Sequence, residues 1–197
     1  MIAAGSAAWS VAFLCYTALL AGTAAERLLE LVISTRNARW AFAQGGREYG
    51  RGHFPPMVVL HSALIAACFA EPLLTRAPFI PALGLPALVL ALAAQGLRYW
   101  CIGTLGRQWN TRVIVVPGLP LVARGPYRFL PHPNYVVVAL EGLALPLVFT
   151  GWITAITFTV LNAVLLLGFR IPVEERALRS AVPSDAAPAA AASSAGG

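Results

Sequence analysis

No lysine occurs anywhere in the 197-residue chain, and all fourteen cationic side chains are arginine. Charge of either sign is scarce: Asp, Glu, Lys and Arg make up 11% of the residues, where a soluble domain carries about 25%. So few charges cannot clothe a hydrated surface, which excludes an ordinary soluble protein and places most of the chain in lipid. Cysteine is limited to Cys15, Cys68 and Cys101, with no CxxC spacing, so neither a disulfide framework nor a metal site is expected. Each lies in or at the end of an apolar run, where a thiol behaves as a small buried hydrophobe. There is no GxGxxG to hold a dinucleotide, and no internal repeat of the kind that builds inverted-repeat transporters. The net charge of +6 would suit nucleic acid, but the arginines fall in links between apolar runs and form no single basic tract. No nucleic-acid partner is expected.

What is present is hydrophobic: 58% of the residues, with a mean hydropathy of +0.73. A membrane helix needs about 20 mostly apolar residues, and the pattern predicts an all-α integral membrane protein with about five spans, near 5–25, 55–74, 77–102, 134–150 and 152–170. The first lacks the basic start and cleavage site of a signal peptide. The second opens on Pro55-Pro56, which suits a first helical turn. The third carries Pro78, Pro81 and Pro86 near its start, where they are expected to kink it. The last two form a hairpin broken at Thr150-Gly151-Trp152, each arm somewhat short for full depth. If the links 26–54 and 98–134 and the tail from 170 share one side, they hold thirteen arginines, and the other side holds only Arg76. The positive-inside rule then puts these links in the cytoplasm and the N-terminus outside. Residues 1–182 read as one membrane domain and 183–197 as a disordered, low-complexity tail.

The informative residues are polar groups that persist in this solvent. The stretch "GPYRFLPHPNY", residues 125–135, sets an arginine, a histidine and two tyrosines at the lip of the fourth span. His132 precedes a proline and is therefore held extended, while Pro133 begins the helix. In the link before it, Val113–Val116 is apolar enough to pair as a short strand, and Pro117-Gly118 and Gly125-Pro126 read as turns. Glu141 lies two turns into the fourth span, where an ionised acid costs at least about 2.5–3.5 kcal/mol near the bilayer centre. A structural partner such as Arg98 or Arg128 is the plainest account of it. His61 and Asn162 read as hydrogen-bonding glue between helices. After the fifth span comes "FRIPVEERAL", in which a continuing helix would set Arg170 and Glu174 on one face unless Pro172 bends it.

With these residues in view, the chain resembles the isoprenylcysteine carboxyl methyltransferase family. Family members carry Gly-Pro-Tyr-Arg leading into Arg-His-Pro-x-Tyr, a transmembrane hairpin, then an arginine and a Glu-Glu pair. Here these are Gly125–Arg128, His132-Pro133-Asn134-Tyr135, the segment 135–169, and Arg170 with Glu174-Glu175. The likeness spans about residues 95–180, and "LRYWCIGTLGRQWNTRVIVVPG" is similar to a bacterial branch associated with type III polyketide synthases. In one departure, Pro131 stands where the family has arginine, leaving Arg128 or Arg124 to compensate.

The resemblance implies an S-adenosylmethionine-dependent O-methyltransferase in the bacterial plasma membrane, its active site facing the cytoplasm. An ordered cytoplasmic loop and a C-terminal helix would form the cofactor pocket. The implied acceptor is a long-chain alkylresorcinol or alkylpyrone, retained with its tail among the helices and the membrane lipid. Arg170 would orient the acceptor oxygen, and Glu174 would take its proton or hold Arg170 in place. Tyr127, Arg128, His132, Pro133, Asn134, Tyr135 and Glu175 would hold the cofactor. The alternatives are carboxyl methylation of an isoprenylcysteine-type substrate, and a non-enzymatic small membrane transporter or interaction protein. Sequence leaves the oligomeric state open.

Overall fold

In the computed structural model, residues 2–181 are described, and the segment read as a tail lies outside them. The chain runs α1 (Ile2–Ala43), β1 (Arg47–Tyr49), α2 (Phe54–Thr75), α3 (Pro81–Leu105), β2 (Val113–Val115), α4 (Pro133–Leu147) and α5 (Trp152–Leu165). A π-helical turn, Leu166–Arg170, then leads directly into α6 (Ile171–Ala181). Among the described residues, four helical stretches are long and apolar enough to cross a membrane: Trp9–Ala43, Arg51–Thr75, Pro81–Gln108 and Trp152–Ser180. The fifth, α4, has 15 residues and is about 22 Å long at 1.5 Å per residue, short of a hydrocarbon core of about 30 Å. The protein is a multi-pass, mainly helical membrane protein.

Three expectations are corrected. The first span does not stop near residue 25, because α1 continues unbroken through Glu26, Arg27 and Glu30 to Ala43. The charges that suggested an end are instead neutralised sideways by α3 and α4, so the helix has no reason to break. Arg27 and Arg98 accordingly stand inside the bundle and not in aqueous links. The third helix starts at Pro81, leaving Pro78 in the connection; Pro81 occupies the first turn, where a missing N–H breaks no helical hydrogen bond. Third, Cys15 is exposed on α1, unlike the buried Cys68 and Cys101.

Elsewhere the local signals hold. The buried face of α3 is Gly84, Ala87, Ala91, Ala94, Arg98 and Cys101, a stripe of mostly small residues at three- and four-residue steps. Small side chains let membrane helices approach closely, and α3 packs most extensively on α4. Gly142 on α4 serves the same purpose toward α5, since a Cβ there would collide with the Phe158 ring. One core gathers around the fully buried Phe149, ringed by Phe13, Tyr16 and Phe79 at centroid distances of 5.5, 5.4 and 5.7 Å. Outward faces of α1, α2, α5 and the π turn remain apolar, with Leu28, Val59, Ile153 and Leu167 exposed, as lipid contact requires.

The α4–α5 hairpin turns where expected. Thr150 adopts φ 60°, uncommon for a β-branched residue, and its hydroxyl donates to the Pro78 carbonyl at 2.7 Å. Glu71, a carboxylate within α2 that the sequence reading passes over, accepts from the Ile153 and Thr154 amides at 3.0 and 2.8 Å. It thereby caps the positive end of α5. Beyond α5, the widened π turn carries the helix past Pro172, whose ring would strike the carbonyl four residues back in a regular helix.

Candidate functional site

The pad between α3 and α4 is fastened to the extended end of α1. The Ser34 hydroxyl donates to Asn110 Oδ1 at 2.7 Å and accepts from the Thr111 amide at 3.0 Å, and Asn37 Nδ2 donates to the Trp109 carbonyl at 2.7 Å. Val113–Val115 does form a strand, paired antiparallel with Arg47–Tyr49. This ladder and the α1 contacts make the loop a fixed wall, against which the His132 segment and α6 close.

Arg170 is the centre of what they enclose. It is 4% exposed, and it donates from Nε to the Tyr135 hydroxyl at 3.0 Å and from Nη2 to the Thr111 carbonyl at 2.7 Å. Its Nη1 lies 3.2 Å from His53 Nε2. The Tyr135 hydroxyl in turn donates to Glu174 Oε2. His132 stacks on Tyr135 with ring centroids 5.3 Å apart, and its Nδ1 and Nε2 lie 3.8 and 3.6 Å from Glu174 Oε1 and Glu175 Oε1. The π turn gives this arrangement its register: it carries Arg170 inward at the end of α5, with Glu174 on the next helical turn. Burial beside the Cys101 thiol pushes the Tyr127 phenol well above its ordinary range, so it stays a neutral hydrogen-bonding group.

Two cavities flank Arg170. The first, about 550 Å³, is bordered by Tyr127, Pro131, His132, Asn134, Tyr135, Arg170, Glu174 and Glu175, with Arg107, Arg112 and Trp109 opposite. The second, about 380 Å³, runs between α1, α2 and α4 among Leu28, Met57, His61, Ile65 and Val138. Trp109, Asn110, Asn134, Tyr135 and Arg170 border both. Of the residues expected at the site, two do not border the first cavity: Pro133 is buried in the first turn of α4, and Arg128 lies over the Phe129 ring at 4.7 Å. His53, Thr111, Asn110 and Arg112 join the site without having been expected there. The polar run "RQWNTR" after α3 was their available signal, whereas His53 reaches the site only through the packing of α2 on α5.

The wall of the second cavity carries a buried ionic cluster, of which Arg27, Glu30 and Arg98 line the cavity. Arg98 pairs with Glu141, the structural partner expected, and also with Glu30 at 3.6 Å; Arg27 lies 2.9 Å from Glu30 and 3.5 Å from Glu141. His61 is not glue between helices, because its Nδ1 meets the Met57 carbonyl of its own helix at 2.8 Å.

Residues 87–180 match the model of the isoprenylcysteine carboxyl methyltransferase (ICMT) family. The chain is also 38% identical over 162 residues, 82% of its length and 95% of the relative's, to "Uncharacterized protein YpbQ" of Bacillus subtilis (strain 168). No solved structure matches it. The matched region carries α3 to α6, and with them every residue of the Arg170 network except His53. This membrane protein belongs to the isoprenylcysteine carboxyl methyltransferase family.

Proposed function

We propose that the protein transfers a methyl group from S-adenosylmethionine to an oxygen of a lipophilic acceptor, with long-chain alkylresorcinols or alkylpyrones as the acceptor class. The observation that carries this reading is the pair of cavities meeting at Arg170, Tyr135 and Asn134. One is lined in good part by polar and charged side chains, and the other sets apolar side chains of α1 and α2 beside the charges of Arg27, Glu30 and Arg98. The first suits the donor: its volume falls within the range of about 300–1,000 Å³ usual for small-molecule sites. Arg107 and Arg112 offer cations for a carboxylate, and Glu174 and Glu175 offer acceptors for an amino group. The faces of Trp109 and Tyr135 suit a sulfonium, and the buried Asn134 Oδ1 has no partner and is free to accept from a ligand. When bound, the donor supplies an electrophilic methyl carbon.

The chain's own residues then do the positioning, which is worth up to about 7–11 kcal/mol for well-aligned reactants. Three of Arg170's five N–H groups are engaged, which leaves two to hold an acceptor oxygen at the junction. Glu174 holds the Tyr135 hydroxyl, and through it the angle of Arg170. The arginine-rich links support a cytoplasmic donor cavity by the positive-inside rule, with the acceptor's tail kept in lipid. The family itself favours a second reading, with a prenylated cysteine carboxylate as the acceptor. Calorimetric titration of purified protein with S-adenosylhomocysteine, followed by radiolabelled methyl transfer to a panel of both acceptor types, tests the proposal. Absence of binding rejects the donor site, and transfer confined to prenylcysteine replaces the acceptor.

A further inference from the structure

The second cavity holds a proton-accepting group that the roles above leave unused. His61 stands in its wall on α2. A carbonyl oxygen can only accept, so the 2.8 Å contact with Met57 places the hydrogen on Nδ1. A neutral ring then keeps its lone pair on Nε2. Nε2 makes no hydrogen bond to the protein among the described residues and is not enclosed, and the residue that carries it lines the second cavity. The Phe158 ring, edge-on at 5.4 Å, steadies the imidazole. Glu174 borders only the first cavity and is already engaged by Tyr135.

Resting on the methyl transfer proposed above, the geometry points to His61 as the catalytic base toward the acceptor, and so to an acceptor that brings a hydroxyl, phenolic or enolic, in place of a carboxylate. The acceptor oxygen forms a bond to the methyl carbon while the sulfur–methyl bond breaks and its electron pair stays on sulfur, leaving a neutral thioether. The hydroxyl proton passes to His61 Nε2. One positive charge is lost at sulfur and one is gained at the imidazole, so no further reactant is needed. A carboxylate is ionised near neutrality and requires no base, whereas a phenol with a pKa of about 10 does. The charged groups acting on His61 are Arg98 from α3, Glu141 from α4 and Arg27 from α1, and Glu30 from α1 and Arg170 from the π turn share the wall of its cavity. Across this set, the two carboxylates offset two of the three arginines.

The test uses the full-length protein in lipid nanodiscs, a long-chain alkylresorcinol and radiolabelled donor, with the wild type compared with His61→Gln and His61→Ala. Both variants are expected to bind S-adenosylhomocysteine as the wild type does, because His61 does not border the donor cavity, and this also reports folding. Turnover is expected to fall by about 10²–10⁴-fold, the usual contribution of a positioned base. The wild-type rate rises with pH as the imidazole loses its proton and then levels. In the variants the rate keeps rising toward the phenol's own pKa, and an acceptor made more acidic by ring halogenation restores turnover. Variants with wild-type turnover and pH profile would overturn the role of His61 and leave the methyl-transfer reading intact. Donor binding with wild-type transfer only to carboxylates removes the hydroxyl acceptor and the base together. A wild type that transfers methyl to nothing removes the underlying reading as well.

Discussion

Two buried polar clusters stand along the same bundle and solve opposite problems. In the Arg27–Glu30–Arg98–Glu141 cluster, two cations meet two carboxylates, with side-chain exposures of 19, 9, 5 and 9%. Charge is matched by charge, and α1, α3 and α4 are tied together. In the Arg170 cluster the cation is held by neutral groups, the Tyr135 hydroxyl, the Thr111 carbonyl and His53, while the carboxylate Glu174 stands one residue removed and is 28% exposed. A matched cluster stabilises a fold. A buried arginine left without a direct carboxylate keeps its charge for a ligand.

Four substitutions sharpen this contrast, from the largest expected effect to the smallest. Arg98→Ala leaves Glu30 and Glu141 sharing Arg27 alone, with one buried carboxylate uncompensated, and is expected to destabilise the protein by about 3–5 kcal/mol. Thermal unfolding in detergent measures it, and pairing it with Glu141→Leu should recover much of the loss, because no uncompensated charge then remains. Arg170→Ala is expected to lower kcat/KM for methyl transfer by about 10²–10³-fold with little change in unfolding temperature. Arg170→Lys should rescue poorly, since an ammonium cannot reproduce the guanidinium fork. Tyr135→Phe removes one bond to Arg170 and one to Glu174; a loss of about 1–3 kcal/mol in transition-state binding corresponds to roughly 5–150-fold in kcat/KM. Arg179→Ala breaks only the exposed pair with Glu175, at 3.3 Å, and is expected to shift stability by less than about 0.5 kcal/mol. A large stability loss in Arg170→Ala, or none in Arg98→Ala, would dissolve the distinction between the clusters.

Much of this was legible along the chain. Apolar length places α2 within a residue of the expected span, and Thr150-Gly151-Trp152 marks the hairpin because a small residue beside an interfacial aromatic interrupts two apolar runs. The Arg170, Glu174, His132 and Tyr135 set was legible because its members lie close to two helix ends, where proline and charge stand out against an apolar background. The continuation of α1 to Ala43 was not legible. Glu26, Arg27 and Glu30 look like the end of a span until α3 and α4 supply their partners. His53 was hidden for the same reason, since Arg170, the site residue it contacts, is 117 positions away in sequence.

Composition and periodicity by themselves determined that the chain resides in lipid, how its apolar helices are spaced, and which polar residues stand at their ends. These properties follow from solvent and local geometry, which act on each segment separately. Only the tertiary structure decided that Arg170 borders two chambers, that Arg98 answers Glu141, and that His61 stands in the wall of the second chamber. Each of those depends on helices distant in sequence being brought side by side, and a pairing energy has no one-dimensional signature.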